Sequence, residues 1–310
     1  MKLHQQEIES FSLAELNTYD LSFIDLDKQK ALKEISQELQ EEFDDLNSEE
    51  TTNARLEHFK VHGAKASDYQ EKILFLDDER KVLYGIRNLG GNPEIPFIQF
   101  RTNFDLKSKN ECLDLYNTIK DEFKVFNPLY ISLSHSTKFD ADFYGQVHMV
   151  SSVQTVSEMT PWPSENDIVF EQIKDNSFYE WYKNGYEEFN KDMPHLKDMV
   201  KVNDLSTMRE SLNQELLKYV FYKGERIGLI AAESSDFLGH SGVYFNEIFI
   251  SKAFKGKGLA KNIQRKFIQD FCRDFQFVWG TIDAKNLPSY KTAFANGRRP
   301  VRHECFIKLT

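Results

Sequence analysis

Sulfur is scarce in this chain. Cys112, Cys272 and Cys305 are the only cysteines in 310 residues, and no two form a CxxC pair. That excludes a disulfide framework and fits a reducing compartment. Long apolar runs are missing as well. No stretch approaches the ~20 residues that span a bilayer, and the opening Met-Lys-Leu-His-Gln-Gln-Glu lacks the apolar core of a secretory leader. The expectation is a soluble, cytoplasmic protein that binds no membrane. Positive charge is in deficit, with 39 Lys and Arg against 49 Asp and Glu and a formal net charge of −10. A general nucleic-acid binder carries the opposite balance, whereas a cationic acceptor would suit this one. No Gly-x-Ser-x-Gly elbow and no Gly-x-x-x-x-Gly-Lys-Ser/Thr loop occurs. His58 and His62 are four apart, but a zinc protease's glutamate and a third ligand are lacking, so no metal is expected.

Aromatics are plentiful, with 26 Phe and 13 Tyr, enough to build real cores. At this length two domains are the better expectation. The one proline cluster, Thr160-Pro-Trp-Pro-Ser164, punctuates the middle. Before it, helical spacing of Leu32, Ile35, Leu39 and Phe43 predicts a helix over 27–43, followed by a polar connection over 44–53. A hairpin over 72–76 and 82–89 comes next, then a strand over 97–101, a helix from Cys112 to Phe123 and a strand over 129–133. After it come a strand over 168–173 and an aromatic helix opened by Ser177-Phe-Tyr-Glu180, a capping-box pattern. A short helix over 206–217 leads to a hairpin of 219–222 and 226–232. The chain then runs through a strand over 243–250, a helix to Cys272, a strand over 277–283, a helix over 288–295 and a strand over 304–309.

The two halves superimpose in outline. Glu79 and Glu225 stand 146 residues apart, Ile98 and Phe249 151, and Ile131 and Trp279 148. A near-constant offset marks an internal duplication. Domains over 1–155 and 156–310 are therefore expected.

One stretch carries more information than the rest. Val243 to Ile250 is β-branched and aromatic, as strands prefer. Leu259, Ile263, Phe267, Ile268 and Phe271 recur at helical spacing. Between them lies Lys255-Gly-Lys-Gly258-Leu-Ala260, whose glycines let the chain turn sharply and leave its N–H groups bare. The first amides of a helix have no internal partner and sit at the positive end of its dipole. A strand, a glycine turn and a helix start thus make an anion site, most often for phosphate. Lys252, Lys255, Lys257, Lys261, Arg265 and Lys266 add formal positive charge without an intervening acid.

This stretch resembles the Gln/Arg-x-x-Gly-x-Gly/Ala motif of the GNAT superfamily of N-acetyltransferases, with Lys255 in place of Gln or Arg. The resemblance covers residues 165–310 well and the first half in outline. It implies a tandem of two α/β (α+β) GNAT-like domains, each a mixed, mostly antiparallel sheet flanked by helices. It implies acetyl-CoA as acyl donor, its pyrophosphate on Lys255, Gly256, Lys257, Gly258, Leu259 and Ala260. Its pantetheine arm would pair with the backbone of Ile248, Phe249 and Ile250. In the first half the matching turn, Thr102 to Lys109, has no glycine, so that half is expected to be degenerate and without cofactor.

Acetyl transfer to an amine needs the amine neutral, the carbonyl oxygen stabilised and the leaving thiolate protonated. Glu247 is the candidate base. It interrupts an apolar strand and, by alternation, shares a face with Phe245 and Phe249, where burial would raise its pKa. Structural pairing is the competing explanation. The segment Asn286 to Gly297 resembles the family's Asn-x-x-Ala/Ser-x-x-x-Tyr-x-x-x-Gly pattern. Asn286 then stands as a cofactor contact or a helix cap. Ala293 occupies the position of the usual tyrosine acid and Arg298 that of the usual Phe. Tyr290, one turn earlier, and Ser289 are the candidate substitutes, with a packing role as the alternative for Tyr290. Trp181, Tyr182 and Tyr186 either line an acceptor pocket or form core.

The expected function is transfer of an acetyl group from acetyl-CoA to a primary amine, small-molecule or peptide, without a covalent enzyme intermediate. The alternatives are a catalytically weak acyl-CoA-binding regulatory protein and a nucleotide-phosphate binder.

Overall fold

A computed structural model of the chain describes residues 2–192, 194 and 201–309. Its first elements are α1 (Gln5–Asn17), α2 (Lys28–Leu46), α3 (Glu49–Phe59), β1 (Lys72–Phe75), β2 (Lys81–Asn88), β3 (Pro96–Thr102), α4 (Lys109–Ile119) and β4 (Tyr130–His135). Next come β5 (Phe143–Ser152), α5 (Val153–Glu158), β6 (Ile168–Gln172), α6 (Phe178–Asp192), α7 (Leu205–Asn213), β7 (Leu217–Tyr222) and β8 (Glu225–Ser234). The remainder is β9 (Gly242–Ile250), α8 (Leu259–Phe271), β10 (Phe277–Asp283), α9 (Leu287–Ala295) and β11 (Arg299–Lys308). They form two compact units, Met1–Gln146 with Val301–Thr310, and Val147–Pro300. The expected fold class, mixed sheets flanked by helices, is what the structure shows.

In the first unit the strands run β1-β2-β3-β4-β11. All neighbours are antiparallel except β3 and β4, which are parallel. Helix α2 buries Ala31, Ile35, Leu39 and Phe43, a four-residue repeat that gives one apolar stripe. Asp27 caps it by accepting from the amides of Gln29 and Lys30. The polar connection expected over 44–53 is instead the end of α2 and the start of α3. Ser48 accepts from the Thr51 amide and opens the second helix at once. Its acids are those of a solvated helix surface. Helix α1 was not anticipated; it and α2 pack Ile8, Phe11, Leu39 and Phe43 with Leu83 of β2.

Pairing of β3 with β4 covers only Phe97 to Gln99. Beyond it lies a cavity of about 460 Å³, lined among others by Phe11, Glu15, Arg101, Leu106, His135 and Arg302. Its two arginines already have partners. Arg101 donates to Glu42 at 2.5 Å, and Arg302 to Glu15 at 3.0 Å and to the Tyr19 hydroxyl at 2.6 Å.

The second unit repeats the succession of antiparallel pair, helix and parallel strand. Its order is β5-β10-β9-β8-β7-β6. Strands β6 to β9 are antiparallel, and α8 crosses over to β10, which is parallel to β9. One sheet face holds Val220, Ile230, Val243 and Ile250 against Ile263 and Phe267 of α8. The other carries Leu229, Ala231 and Phe249 against Phe178, Tyr182 and Tyr186 of α6 and Met208 of α7.

Candidate functional site

After β9 the chain passes through a 3₁₀ turn, Lys252–Phe254, and then through Gly256 and Gly258, whose φ values are +76° and +72°. These are left-handed conformations, unstrained only for glycine, and nothing stands within 4 Å of where a Cβ would be at either. Gly258 is the N-cap of α8. Among the described residues, the amides of Gly256, Gly258 and Ala260 donate to no protein acceptor. The cradle therefore fits an anion, with bare N–H groups, an open approach and a helix start behind.

The surrounding cations sort themselves. Lys255 lies over the Phe189 ring at 3.8 Å and Lys257 over Phe254 at 4.7 Å, both beside the turn. Lys261 covers Trp162, and Lys266 pairs with Asp270. Arg265 does not belong to the anion site. It is fully buried, pairs with Glu165 at 2.7 Å and bonds the carbonyls of Ser157 and Met159. Its work is to fasten the segment before β6 to α8.

Next to the turn the sheet opens. β9 and β10 pair only through Gly242, Val243 and Tyr244 with Phe277, Val278 and Trp279. From Phe245 and Gly280 onward the parallel strands part. The backbone of β9 facing the gap then has no ladder partner there, a ready edge for an extended ligand.

Glu247 stands on this open part of β9. The register with β8 shifts between Ala231, opposite Glu247, and Ala232, opposite Phe245, so Asn246 bulges out of the ladder. The bulge breaks the expected alternation. Phe245 packs with Val243, Ile248 and Ile250 on the α8 face, while Glu247 turns with Phe249 toward α6. Its Oε2 accepts from the Tyr182 hydroxyl at 2.5 Å, the Tyr186 hydroxyl at 2.6 Å and Asn203 Nδ2 at 3.4 Å. Glu247 is half-buried. Burial raises the carboxyl's pKa above the ordinary range, against the two tyrosines, the Ile248 amide and the charge of Lys255. Both tyrosines are pushed up in turn, by burial first and the Glu247 charge second, so they act as donors.

Of the two readings the sequence allows for the aromatic helix, core packing is what the structure shows for Tyr182 and Tyr186. The rings of Tyr182 and Tyr186 are core, 5.6 Å and 5.7 Å from the Phe249 ring, and their hydroxyls reach the carboxylate. Trp181 is half-buried, edge-on to Tyr219 and Phe249 and covered by the Arg226 guanidinium. Asn203 carried no signal in the sequence. It is placed by two further bonds, from its amide to the Tyr182 oxygen and from Nδ2 to the Asn246 carbonyl.

In the second motif Asn286 caps α9, its Oδ1 accepting from the Ser289 amide at 3.3 Å. Ser289 is exposed. Tyr290 is half-buried, stacked on Phe294 at 6.2 Å and packed beside Val147, Met149 and Ala293. Among the described residues no group of three or more His, Cys, Asp or Glu is placed to hold a metal, and no helix is long and apolar enough to cross a membrane.

The solved structures to which the chain is similar include three described as GNAT-family or GCN5-related acetyltransferases. A GCN5-related N-acetyltransferase from Sphaerobacter thermophilus aligns at a TM-score of 0.42 and 12% identity, over 83% of this chain and 90% of its own. A GNAT-family acetyltransferase from Colwellia psychrerythraea aligns at 0.48 and 8%, over 84% and 96%. A GCN5-related N-acetyltransferase from Kribbella flavida aligns at 0.41 and 8%, over 84% and 94%. No family model and no curated protein matches the sequence.

Proposed function

We propose that the second unit is an acyl-CoA-dependent N-acyltransferase. It moves an acetyl group from acetyl-CoA to a primary amine, directly and without an acyl-enzyme. The observation that carries this reading is Glu247, a carboxylate of raised pKa held by two tyrosines, on a splayed strand that leads into an open glycine cradle. The amides from Gly256 to Ala260 would take the diphosphate, with Lys255 and Lys257 beside them. The unpaired edge at Ile248, Phe249 and Ile250 would align the extended arm and donate to the thioester carbonyl.

Glu247 accepts the proton that the amine must lose, and its raised pKa brings it closer to an amine's working range than a solvated carboxylate. Tyr182, Tyr186 and Asn203 hold Oε2, which orients the carboxylate. Tyr290 or Ser289 supplies the proton to the leaving thiolate, and Asn286 positions the helix that bears them.

A panel of amines incubated with acetyl-CoA, read as released thiol, tests the activity. Turnover should appear with the native protein and fall ~100-fold or more in Glu247→Gln. Binding of acetyl-CoA with no turnover on any amine would instead select the regulatory reading, which Ala293 at the position of the usual acid favours.

A further inference from the structure

Arg298 is a buried cation. Only 3% of it is exposed, and among the described residues its side chain makes no hydrogen bond or ion pair. The Phe245 ring lies 5.4 Å from the guanidinium carbon, and Tyr244 is close by. Burial lowers its pKa to about 10, against a smaller opposing influence of Tyr244. A buried arginine without a carboxylate is costly, so most are paired. Arg265, in the same unit, has both an acid and two carbonyls.

Its position says what is missing. A Cβ on Gly280 would lie 3.3 Å from Arg298 Nη1 and 3.8 Å from the Phe245 carbonyl oxygen. The guanidinium therefore sits at the point where β9 and β10 part, in room that Gly280 leaves by having no side chain. A donor anchored at the glycine cradle would run back along β9 from Ile250. Glu247 is three residues up that strand, ~10 Å, and Phe245 another ~7 Å at the rise of a strand. With the reacting carbonyl level with Glu247, whatever the acyl group carries beyond it runs toward the end of the gap at Phe245 and Gly280, which the guanidinium borders from the α8 face, opposite the face that carries Glu247. The methyl of an acetyl group would leave that cation unpaired. A carboxylate would engage it through two parallel N–H···O bonds.

We infer that the donor's acyl group ends in a carboxylate, the half-thioester of a short dicarboxylic acid, with Arg298 as its specificity residue. This rests on the CoA-thioester reading of the cleft and changes only the group transferred. In the step, the amine nitrogen bonds to the thioester carbon and the C–S bond breaks. The amine proton passes to Glu247, the thiolate leaves and is protonated, and the distal carboxylate stays bound to Arg298 unchanged.

Acetyl-, butyryl- and succinyl-CoA separate the possibilities, butyryl-CoA being the uncharged match in length. Succinyl-CoA should give the largest thermal shift and at least a tenfold advantage in kcat/KM over butyryl-CoA. Arg298→Met should abolish that advantage, and Arg298→Lys should restore part of it. Equal or better stabilisation by butyryl-CoA in the native protein would overturn the carboxylate assignment, with the donor reading intact and no variant required. An equal loss with all three thioesters in Arg298→Met would overturn it too, placing the guanidinium on the reacting carbonyl or thiolate. If neither free CoA nor any thioester shifts the melting temperature, the donor reading itself fails.

Discussion

At the scale of single residues, the state of Glu247 makes two separable predictions. Its folded pKa is raised, so the native state holds its proton more tightly than the unfolded chain does. Between the unfolded value and the raised one, stability therefore falls as pH rises. Glu247→Gln removes that loss, and the amide oxygen still accepts from both tyrosines. The variant should melt at the same or a higher temperature than the native protein at neutral pH. Its turnover should drop ~100-fold or more while acetyl-CoA affinity holds. Calorimetry alongside the thiol assay reads both, and a destabilised variant would contradict the burial argument. Tyr186→Phe is the finer test. Removing that donor takes away one influence that keeps the carboxylate charged, so the acid limb of the rate profile should move to higher pH. An unmoved limb would mean Glu247 is not the titrating base. Tyr182→Phe is less clean, because the Asn203 amide would also lose its acceptor, at about 1–3 kcal/mol.

At the scale of elements, glycine decides how closely two of them approach. A Cβ on Gly185 would sit 2.2 Å from Phe249 Cζ, and Phe249 is buried among three aromatic rings of α6. Gly185→Ala should therefore cost about 1–3 kcal/mol as overpacking, measurable by denaturant unfolding. An unchanged midpoint would show that α6 shifts freely on the sheet. Gly258→Ala should also destabilise, since its left-handed conformation resists a side chain. There the added loss is of ligand-induced stabilisation, because the amide cradle distorts. Elements with strong periodicity, such as α2, α8 and β10, were legible in the sequence to within a few residues. Helix α1 was not, because its buried positions, Ile8, Phe11, Ser12 and Leu16, mix with Glu7 and give a weak stripe. The Asn246 bulge left no trace either. An extra residue in a ladder is set by the partner strand, and it alone sends Phe245 and Glu247 to opposite faces. Glu247 and the glycine turn were legible because a charge inside an apolar strand and two nearby glycines are local anomalies. Asn203 was not, since its role depends on a fold-back across 43 residues to Asn246.

At the scale of the whole molecule, each unit has a β-α-β crossover with only three paired positions before the strands part. The second unit places two open glycines at the mouth of its gap, and the first places none. The cavity there has arginines already paired with Glu15, Glu42 and Tyr19. Isothermal titration with acetyl-CoA should therefore saturate at one site per chain, and two sites would refute the degenerate role proposed for the first half. The chain ends also bear on which unit fails first. β11 closes the first unit beside β4, with Cys305 and Ile307 fully buried in its core. Ending the chain at Pro300 would expose the edge of β4 and empty those positions, while every residue of Val147–Pro300 remains. Losing the buried side chain of Ile307 alone is worth about 2–5 kcal/mol. In limited proteolysis followed by mass spectrometry, new cleavages should fall within residues 1–146 and precede any in 147–300. Protection of 1–146 equal to that of the full chain would show that this unit folds without its last strand.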